Sequence, residues 1–486
     1  MKKKGSITVY LLLFLTTLLL LLGAVLLSAR YRGAKVMVKA AARQSMFDLF
    51  SRYEPVLFEE YDLMFMDAGF GSAEFRPGLM LDCMERNAGI LWGENSSATN
   101  LWGLGECQAV LHGYTLATDQ QGEVFYRQAI ESASYLLAED AVQALQGQIN
   151  LGSRQKKTGQ TQGDVKEACD SYQEAVNKAQ EGEYEKGAAK DQNSADPGPA
   201  LKAEDNPIEI IKKLQKKGIL GLVMPENSDM SDKQIKKSSL LSGRKTEKGI
   251  GLAETAAPHK TADHLLFDRY LAEHLSSFVD PDEKAALAWQ LEYVIGGKKS
   301  DKENLKKTAE ALLLLREGSN LLYLRQDAGS MAKVRTMAAS IAAALAVPVG
   351  EELIVGVLCV CWAYGESLED VRALLAGEKV PLIKDRSSWK LSLSELSSVG
   401  KKRVRKGNDV DKGLTYTDYL EILLGMKADR ECLFRGMDMA EIGMRSKTGN
   451  ENFSLDHCIC AVEAEIRATV SGVGTISAKE KRSYEN

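Results

Sequence analysis

The chain has few cysteines and lacks the cysteine pairs that mark common metal and redox sites. Its eight cysteines are spread over 486 residues, without a CxxC pair or a cysteine–histidine set at zinc spacing. Such a low density excludes a disulfide-rich scaffold. We therefore expect buried free thiols. If the domain is exported, a bridge such as Cys83–Cys107 is the alternative, and the sequence alone does not assign it.

Strong net charge and nucleophile motifs are also missing. The formal net charge of -5 gives no reason to expect a nucleic-acid partner. No GxSxG signature is present, and Gly472-Val473-Gly474-Thr475 is too short for a phosphate loop. These absences predict a non-enzymatic protein with no catalytic residues, no metal and no cofactor.

Charged side chains are absent from Ser6 to Ser28, and this gap is the most informative feature of the chain. About 20 apolar residues span a hydrocarbon core of roughly 30 Å, so residues 1–28 are predicted to be a basic leader and a transmembrane helix. The run is longer than that of a secretory signal, and its exit at Leu27-Ser28-Ala29-Arg30 does not favour conventional cleavage.

The flanking charges indicate an orientation. Lys2, Lys3 and Lys4 favour a cytoplasmic N-terminus, although basic residues also follow the apolar run. Long domains translocate largely regardless of such charges. We therefore expect a single-pass protein of the cell membrane, with the bulk of the chain extracytoplasmic and the lipid bilayer as its first partner.

No proline occurs before Pro55, so the first helix is predicted to continue beyond the membrane. Apolar residues recur at helical spacing as far as Tyr61, which predicts one rod from Ser6 to about Glu60. The alternative is a kink near Gly33 followed by an ordinary amphipathic helix.

The remaining pattern predicts an α+β, predominantly helical fold with a few short strands. A C-terminal strand is expected because apolar and polar residues alternate from Cys458 to Val470. Glu351 to about Ala376 is very apolar but too short to cross a bilayer, and is predicted to be a core helix. The predicted domains are 29–150, membrane-proximal helix and first part of the head; 151–206, flexible polar linker with a short fraying helix near 164–179; 207–262, short ordered segment with a polar loop; 263–477, main helical domain with the C-terminal strand; and 478–486, disordered tail.

One group of charged residues is a candidate site. Glu366 and Asp370 stand four residues apart on one face of the predicted core helix, with Arg372 close by. Paired carboxylates can carry acid–base chemistry or bind a cation. The nearby arginine favours an ion-pair network at a helix end instead.

The leader resembles the processing site of type IV prepilins, especially TadE/TadG-like minor pilins. The basic leader ends in Gly5, and Ser6 opens the apolar helix, which is where a prepilin peptidase cuts in those proteins. The resemblance implies cleavage between Gly5 and Ser6, against an uncleaved anchor as the alternative. Tyr10 stands where pilins usually carry a glutamate that helps subunits register, so the likeness does not extend to polymerisation.

Four further segments resemble a domain-of-unknown-function family of membrane-anchored proteins with prepilin-like N-termini, related to TadE/TadG-like (tight-adherence) pilus assembly proteins. They are Glu292–Leu305, Arg316–Asn320, Trp362–Gly377 and Val380–Lys384. The resemblance implies location and a pilus or secretion context, and it brings no catalytic residues.

The sequence therefore supports two hypotheses. The first is a minor-pilin-like or accessory component of a tight-adherence-type pilus or surface apparatus, with other membrane-anchored assembly proteins as partners. The second is a cell-envelope enzyme or sensor that binds a wall-derived ligand. A deep polar pocket around Glu366 and Asp370 would favour the second.

Overall fold

The computed structural model describes residues 5–93, 100–135, 139–185, 206–225, 228–252, 262–345, 349–399 and 413–484. The helices are α1 Gly5–Phe50, α2 Pro55–Tyr61, α3 Pro77–Trp92, α4 Asp119–Ser134, α5 Glu139–Gln162, α6 Val165–Glu185, α7 Pro207–Gln215, α8 Ile219–Val223, α9 Asp263–His274, α10 Gln290–Gly296, α11 Asp301–Gln326, α12 Ala328–Leu345, α13 Glu351–Leu375, α14 Tyr416–Leu424 and α15 Asp429–Thr448. The strands are β1 Met66–Asp67, β2 Leu104–Leu116, β3 Cys458–Val470 and β4 Gly474–Ser483. The predicted fold class, α+β and mainly helical, is confirmed.

The chain divides into two compact units that interleave along the sequence. Unit 1 comprises residues 1–132, 239–259 and 440–486, and unit 2 comprises 133–238 and 260–439. The predicted main domain, 263–477, combined the helices with the C-terminal strand. In the structure that strand belongs to unit 1, because its hydrogen-bonding partners β1, β2 and β4 all lie there.

The first helix runs unbroken through Gly33 and ends at Phe50, so the predicted rod is confirmed except for its end. Its 46 residues extend roughly 70 Å at about 1.5 Å per residue. Pro55 disfavours the helical conformation of the residue before it, and Glu54 is indeed extended, with φ -79° and ψ 105°. A separate short helix, α2, therefore starts at Pro55.

In unit 1, β3 is the central strand of an antiparallel sheet. It pairs with β2 along one side and with β4 along the other, where β1 adds two residues at the Cys458 end. Val462, Ala464 and Ile466 are buried, whereas Glu463 and Glu465 between them are only half-buried. The alternation predicted for this strand is confirmed.

The second half of α1 packs in the core of unit 1 with this sheet. Ala34, Val38 and Ala42 recur every four residues and are fully buried, in one cluster with Val462 and Ile466 of β3. This spacing places one stripe of α1 in the core. A single helix thus supplies both the apolar run and part of the protein core.

In unit 2, α13 is the central helix and is buried along nearly its whole length, as the sequence predicts. It packs beside α11, whose first turn is capped: Ser300 Oγ accepts a hydrogen bond from the amide of Glu303. The side of α11 that bears Gly318 lies against α5, close to Gln155 and Gly159.

The flexible linker predicted over 151–206 is wrong where the structure describes helices, and the short helix expected near 164–179 is part of a longer one. Residues 151–162 belong to α5 and residues 165–185 to α6. Gly159 of α5 lies against the backbone of α11, where a Cβ would be 2.3 Å from the carbonyl oxygen of Leu314, and Val165, Tyr172 and Val176 of α6 are buried. Residues 186–205 lie outside the described part of the chain. The predicted disordered tail is also wrong for 478–483, which pair with β3 as part of β4.

Gly318 allows α5 and α11 to approach each other, which predicts a strong effect of a single methyl group. A Cβ at Gly318 would lie 1.7 Å from the backbone oxygen of Gln155. We expect Gly318→Ala to destabilise the full-length chain by at least 1–3 kcal/mol, because overpacking forces the helices apart. Denaturant unfolding in detergent micelles measures this change.

Gly356→Ala is the matched control. Gly356 lies within α13, and a Cβ there would meet nothing within 4 Å. Since alanine is favoured over glycine inside a helix by about 0.5–1 kcal/mol, this variant should be slightly stabilised. Equal effects of the two substitutions would contradict the close helix contact.

Candidate functional site

The apolar half of α1 is the first candidate site. Its most apolar window has a mean hydropathy of 2.7, and none of that window is buried. In the described part of the chain it is the one helix long and apolar enough to cross a membrane. This exposure distinguishes it from α13, whose apolar residues are covered by protein, and it fits a membrane-anchored protein with one N-terminal span.

The predicted processing residues lie where this helix begins. Gly5 is the first residue of α1, so the Gly5–Ser6 bond lies in its first turn. Residues 1–4 lie outside the described part of the chain. Tyr10 follows one turn later on the exposed surface. Cleavage at this bond stays a prediction.

The candidate polar cluster is a buried ion-pair network in unit 2. Glu366 and Asp370 share one face of α13, and neither side chain has exposed surface. Lys384 lies between them, with its Nζ 2.6 Å from Glu366 Oε1 and 2.7 Å from Asp370 Oδ1. The third hydrogen bond of the ammonium goes to the carbonyl of Ser388, at 2.9 Å.

Arg316 of α11 completes the network from the other side of Asp370. Its Nε lies 3.0 Å from Asp370 Oδ2, and its Nη1 donates to the carbonyls of Pro381 and Leu382 and to the hydroxyl oxygen of Tyr419. Glu366 is occupied too, because it accepts from the amides of residues 390 and 391. Two cations and two carboxylates are therefore paired away from water.

This pairing decides the ionisation of Asp370. Burial alone would raise the pKa of its carboxyl, but Lys384 and Arg316 more than offset that cost and lower the pKa. The carboxylate is held charged as part of a closed set of hydrogen bonds. Its oxygens are occupied by protein donors, which leaves none directed at a ligand.

Arg372 does not belong to this network, so the predicted cluster of Glu366, Asp370 and Arg372 is divided. Its guanidinium pairs with Glu369 at 2.6 Å and donates to the carbonyl of Leu222. Arg372 follows Asp370 by two residues, and residues two apart in a helix lie on different faces, so its side chain leaves α13 on another side.

The sequence pattern did not predict which residues pair with Glu366 and Asp370. These partners lie in segments that carry the family resemblance. Arg316 and Asn320 form the ends of one segment that carries the family resemblance, and Lys384 ends another. Asn320 Nδ2 donates to Ser367 Oγ and to Asp370 Oδ2, at 2.9 and 3.1 Å. The third segment, Trp362–Gly377, carries Ser367 and Asp370. The three segments are distant in sequence and meet at this network, which no rule of local spacing predicts.

Another buried carboxyl, that of Glu292 in α10, lies in the remaining segment of the resemblance, Glu292–Leu305. Its Oε1 accepts from the amide of Phe278 at 2.8 Å and from the hydroxyl of Tyr416 at 2.7 Å. Full burial raises its pKa to about 7, although these two donors oppose the shift. Glu292 therefore titrates near neutrality.

Unit 2 also has an open cavity of about 900 Å³. Its lining includes Phe278, Trp289 and Lys233. The ammonium of Lys233 is used within the fold, because it donates to the carbonyls of Glu283 and Ala285 at 2.5 and 2.8 Å. Neither Glu366 nor Asp370 lines this cavity.

Comparison with known proteins places the chain in a family. One family profile matches residues 199–470, more than half of the chain. The chain belongs to DUF5702, a family of unknown function. The DUF5702 region contains the whole buried network and Glu292, together with the central strand β3. No curated protein and no solved structure matches the chain.

The network predicts that loss of one carboxylate is costly. Asp370→Asn leaves Lys384 and Arg316 with one counter-ion fewer inside the protein, and we expect a loss of about 3–5 kcal/mol in the free energy of unfolding. Glu310→Gln is the control, since Glu310 is half-exposed and lies 3.9 Å from Lys306. That change should cost less than about 1 kcal/mol. Similar losses in chemical denaturation would contradict a closed buried network.

Glu292 predicts a pH dependence of a defined sign. Because its pKa rises from 4.5 to about 7 on folding, the folded chain binds this proton more tightly. The contribution to stability is complete below pH 4.5 and is lost as the pH rises to about 7. Glu292→Gln removes this titration, so the slope of unfolding free energy against pH should shrink by up to about 1.4 kcal/mol per pH unit.

In Glu292→Gln, other buried carboxyls still make the free energy of unfolding fall as the pH rises. Burial raises the pKa of Glu317 to about 8 and that of Glu421 to about 7. Urea unfolding from pH 5 to 8 separates the contributions, with Glu310→Gln again as the control. An unchanged slope in Glu292→Gln would show that Glu292 is ionised in the folded chain.

Proposed function

We propose that the protein is a non-enzymatic, single-span membrane protein whose bulk lies outside the cytoplasm and which serves as a minor-pilin-like or accessory component of a tight-adherence-type pilus or surface apparatus. One observation carries the proposal. α1 is a single helix whose first half is apolar and uncovered, and whose second half is core of a domain with an antiparallel sheet.

This division of one helix supports a packing role. The first half offers apolar side chains such as Leu12, Leu19 and Leu26 to lipid or to the spans of partner proteins. The second half cannot move independently of unit 1, because it shares its core. A lateral contact made in the membrane is therefore transmitted rigidly to unit 1 outside it.

The alternative, a cell-envelope enzyme or sensor, has less support. It needs an accessible polar site at Glu366 and Asp370. Both side chains are fully buried, and their oxygens are occupied by Lys384, Arg316 and backbone amides. A network closed in this way favours a structural role in holding the segment 381–391 on α11 and α13.

Sidedness and processing are tested together. A cysteine is placed at Lys3, before the apolar run, or at Glu74, whose side chain is 78% exposed in unit 1. An impermeant maleimide is applied to wall-stripped cells before and after lysis. We expect the cysteine at Glu74 to react in intact cells; in chains that retain the leader, the cysteine at Lys3 should react only after lysis.

The parent chain, with its own eight cysteines, measures background labelling, and intact mass detects loss of Met1 to Gly5. Loss of that segment supports the prepilin-like reading, and retention favours a plain anchor. Reaction of the cysteine at Glu74 only after lysis would overturn the proposed topology. Recovery of the full-length chain in detergent-free buffer would overturn the anchor itself.

A further inference from the structure

Two loops of unit 1 meet α1 just beyond its apolar run. A Cβ added to Gly472, in the β3–β4 turn, would lie 4.0 Å from Leu27 Cδ2. The indole of Trp102 lies against Gly33, where an added Cβ would be only 2.4 Å from the ring. Arg30 Nε donates to the carbonyl of Trp102 at 3.0 Å. The turn before β2 and the β3–β4 hairpin tip are therefore both held beside the end of the apolar run.

The turn before β2 carries a large apolar side chain at its tip. Leu101 is 80% exposed. Its exposure does not come from a loose loop, because Asn100 closes the turn with hydrogen bonds to both the amide and the carbonyl of Leu104. Tyr31 is also exposed on α1, and Trp102 and Val473 in the two loops are half-buried.

The height of this surface matches the lipid headgroup layer. From Leu27 to Tyr31 the helix rises about 6 Å, and to Gly33 about 9 Å. The headgroup layer adds about 5–8 Å on each side of the hydrocarbon core. Tryptophan and tyrosine are enriched at this level because their rings are apolar with a polar edge.

The charges that α1 itself carries at this level are of one sign. Arg30, Arg32 and Lys35 follow the apolar run, and no acidic residue occurs between Ser28 and Phe47. Arg32 and Lys35 are exposed. Each cation near an anionic membrane surface contributes about 1 kcal/mol of attraction.

We propose that the turn 100–103 and the hairpin tip 471–474 form a membrane-resting surface of unit 1. Leu101 and Trp102 lie in the headgroup layer, and Arg32 and Lys35 bind the phosphates of anionic phospholipids. The inference rests on the proposed anchor and goes beyond it, because it gives unit 1 a defined face toward the bilayer instead of a free tether.

A depth measurement on the full-length chain tests this surface. In a Cys83→Ser/Cys107→Ser background, Leu101→Cys and Phe58→Cys are each labelled with an environment-sensitive dye and reconstituted into phosphatidylcholine–phosphatidylglycerol liposomes. Phe58 is the control, since it is also exposed but belongs to α2, which is followed in the chain by β1, the strand that pairs with the start of β3. Ile459, which pairs with β1, and Val470, at the other end of β3, are about 37 Å apart at roughly 3.4 Å per residue.

We expect the label at Leu101 to be blue-shifted and quenched several-fold more strongly than that at Phe58 by a lipid quencher placed at the top of the acyl chains. Flotation of the same liposomes separates the two hypotheses. If the chain floats but both labels respond alike, the surface is wrong and the anchor stands. If the chain does not float, the anchor is wrong.

The lipid preference has its own control. Arg32→Gln/Lys35→Gln should lower the quenching at Leu101 in phosphatidylglycerol-containing liposomes to the value found in pure phosphatidylcholine. Quenching that does not depend on phosphatidylglycerol in the parent chain would overturn the assignment of these cations to anionic lipid.

Discussion

The structure depends on the continuity of α1, one helix that presents apolar side chains to two different surroundings. Before Ser28 its side chains face outward all round, and from Ala34 onward one stripe is buried against the sheet of unit 1. A helix with apolar residues on every side is stable only in lipid or in a large core. An amphipathic helix needs just one covered side. The change from one pattern to the other marks where the membrane is expected to end and the domain to begin.

The buried network of Arg316, Asp370, Lys384 and Glu366 has a comparable role in unit 2. Its charges are costly to bury, so they are tolerated only because every strong donor and acceptor among them finds a partner. The hydrogen bonds that satisfy these charges hold the irregular segment 381–391 against α11 and α13. That segment has little regular backbone pairing, and the side-chain network supplies the specificity that a sheet or helix would otherwise provide.

Several features could be predicted because they depend on local spacing. The exposed apolar half of α1, the core helix α13, the cap at Ser300 and the alternation of β3 all follow from residues near one another in the chain. The linker prediction failed over α5 and α6 because it treated large apolar residues as necessary for packing. Gly318 allows α5 to approach α11 closely, and a close approach buries surface without large side chains.

By itself, the sequence determined the apolar span, the class of fold and the placing of Glu366 and Asp370 on one face of α13. The span follows from the lack of charged residues over about 20 positions, and the other two follow from apolar and polar residues repeating every two or 3.6 positions. Only the tertiary structure decided which cations neutralise Glu366 and Asp370, that β3 pairs with β2 more than 340 residues away, and that Trp102 lies against Gly33. These contacts join residues distant in sequence. Their partners are selected by the closing of the core and by the need to satisfy every buried charge, and no local pattern encodes either.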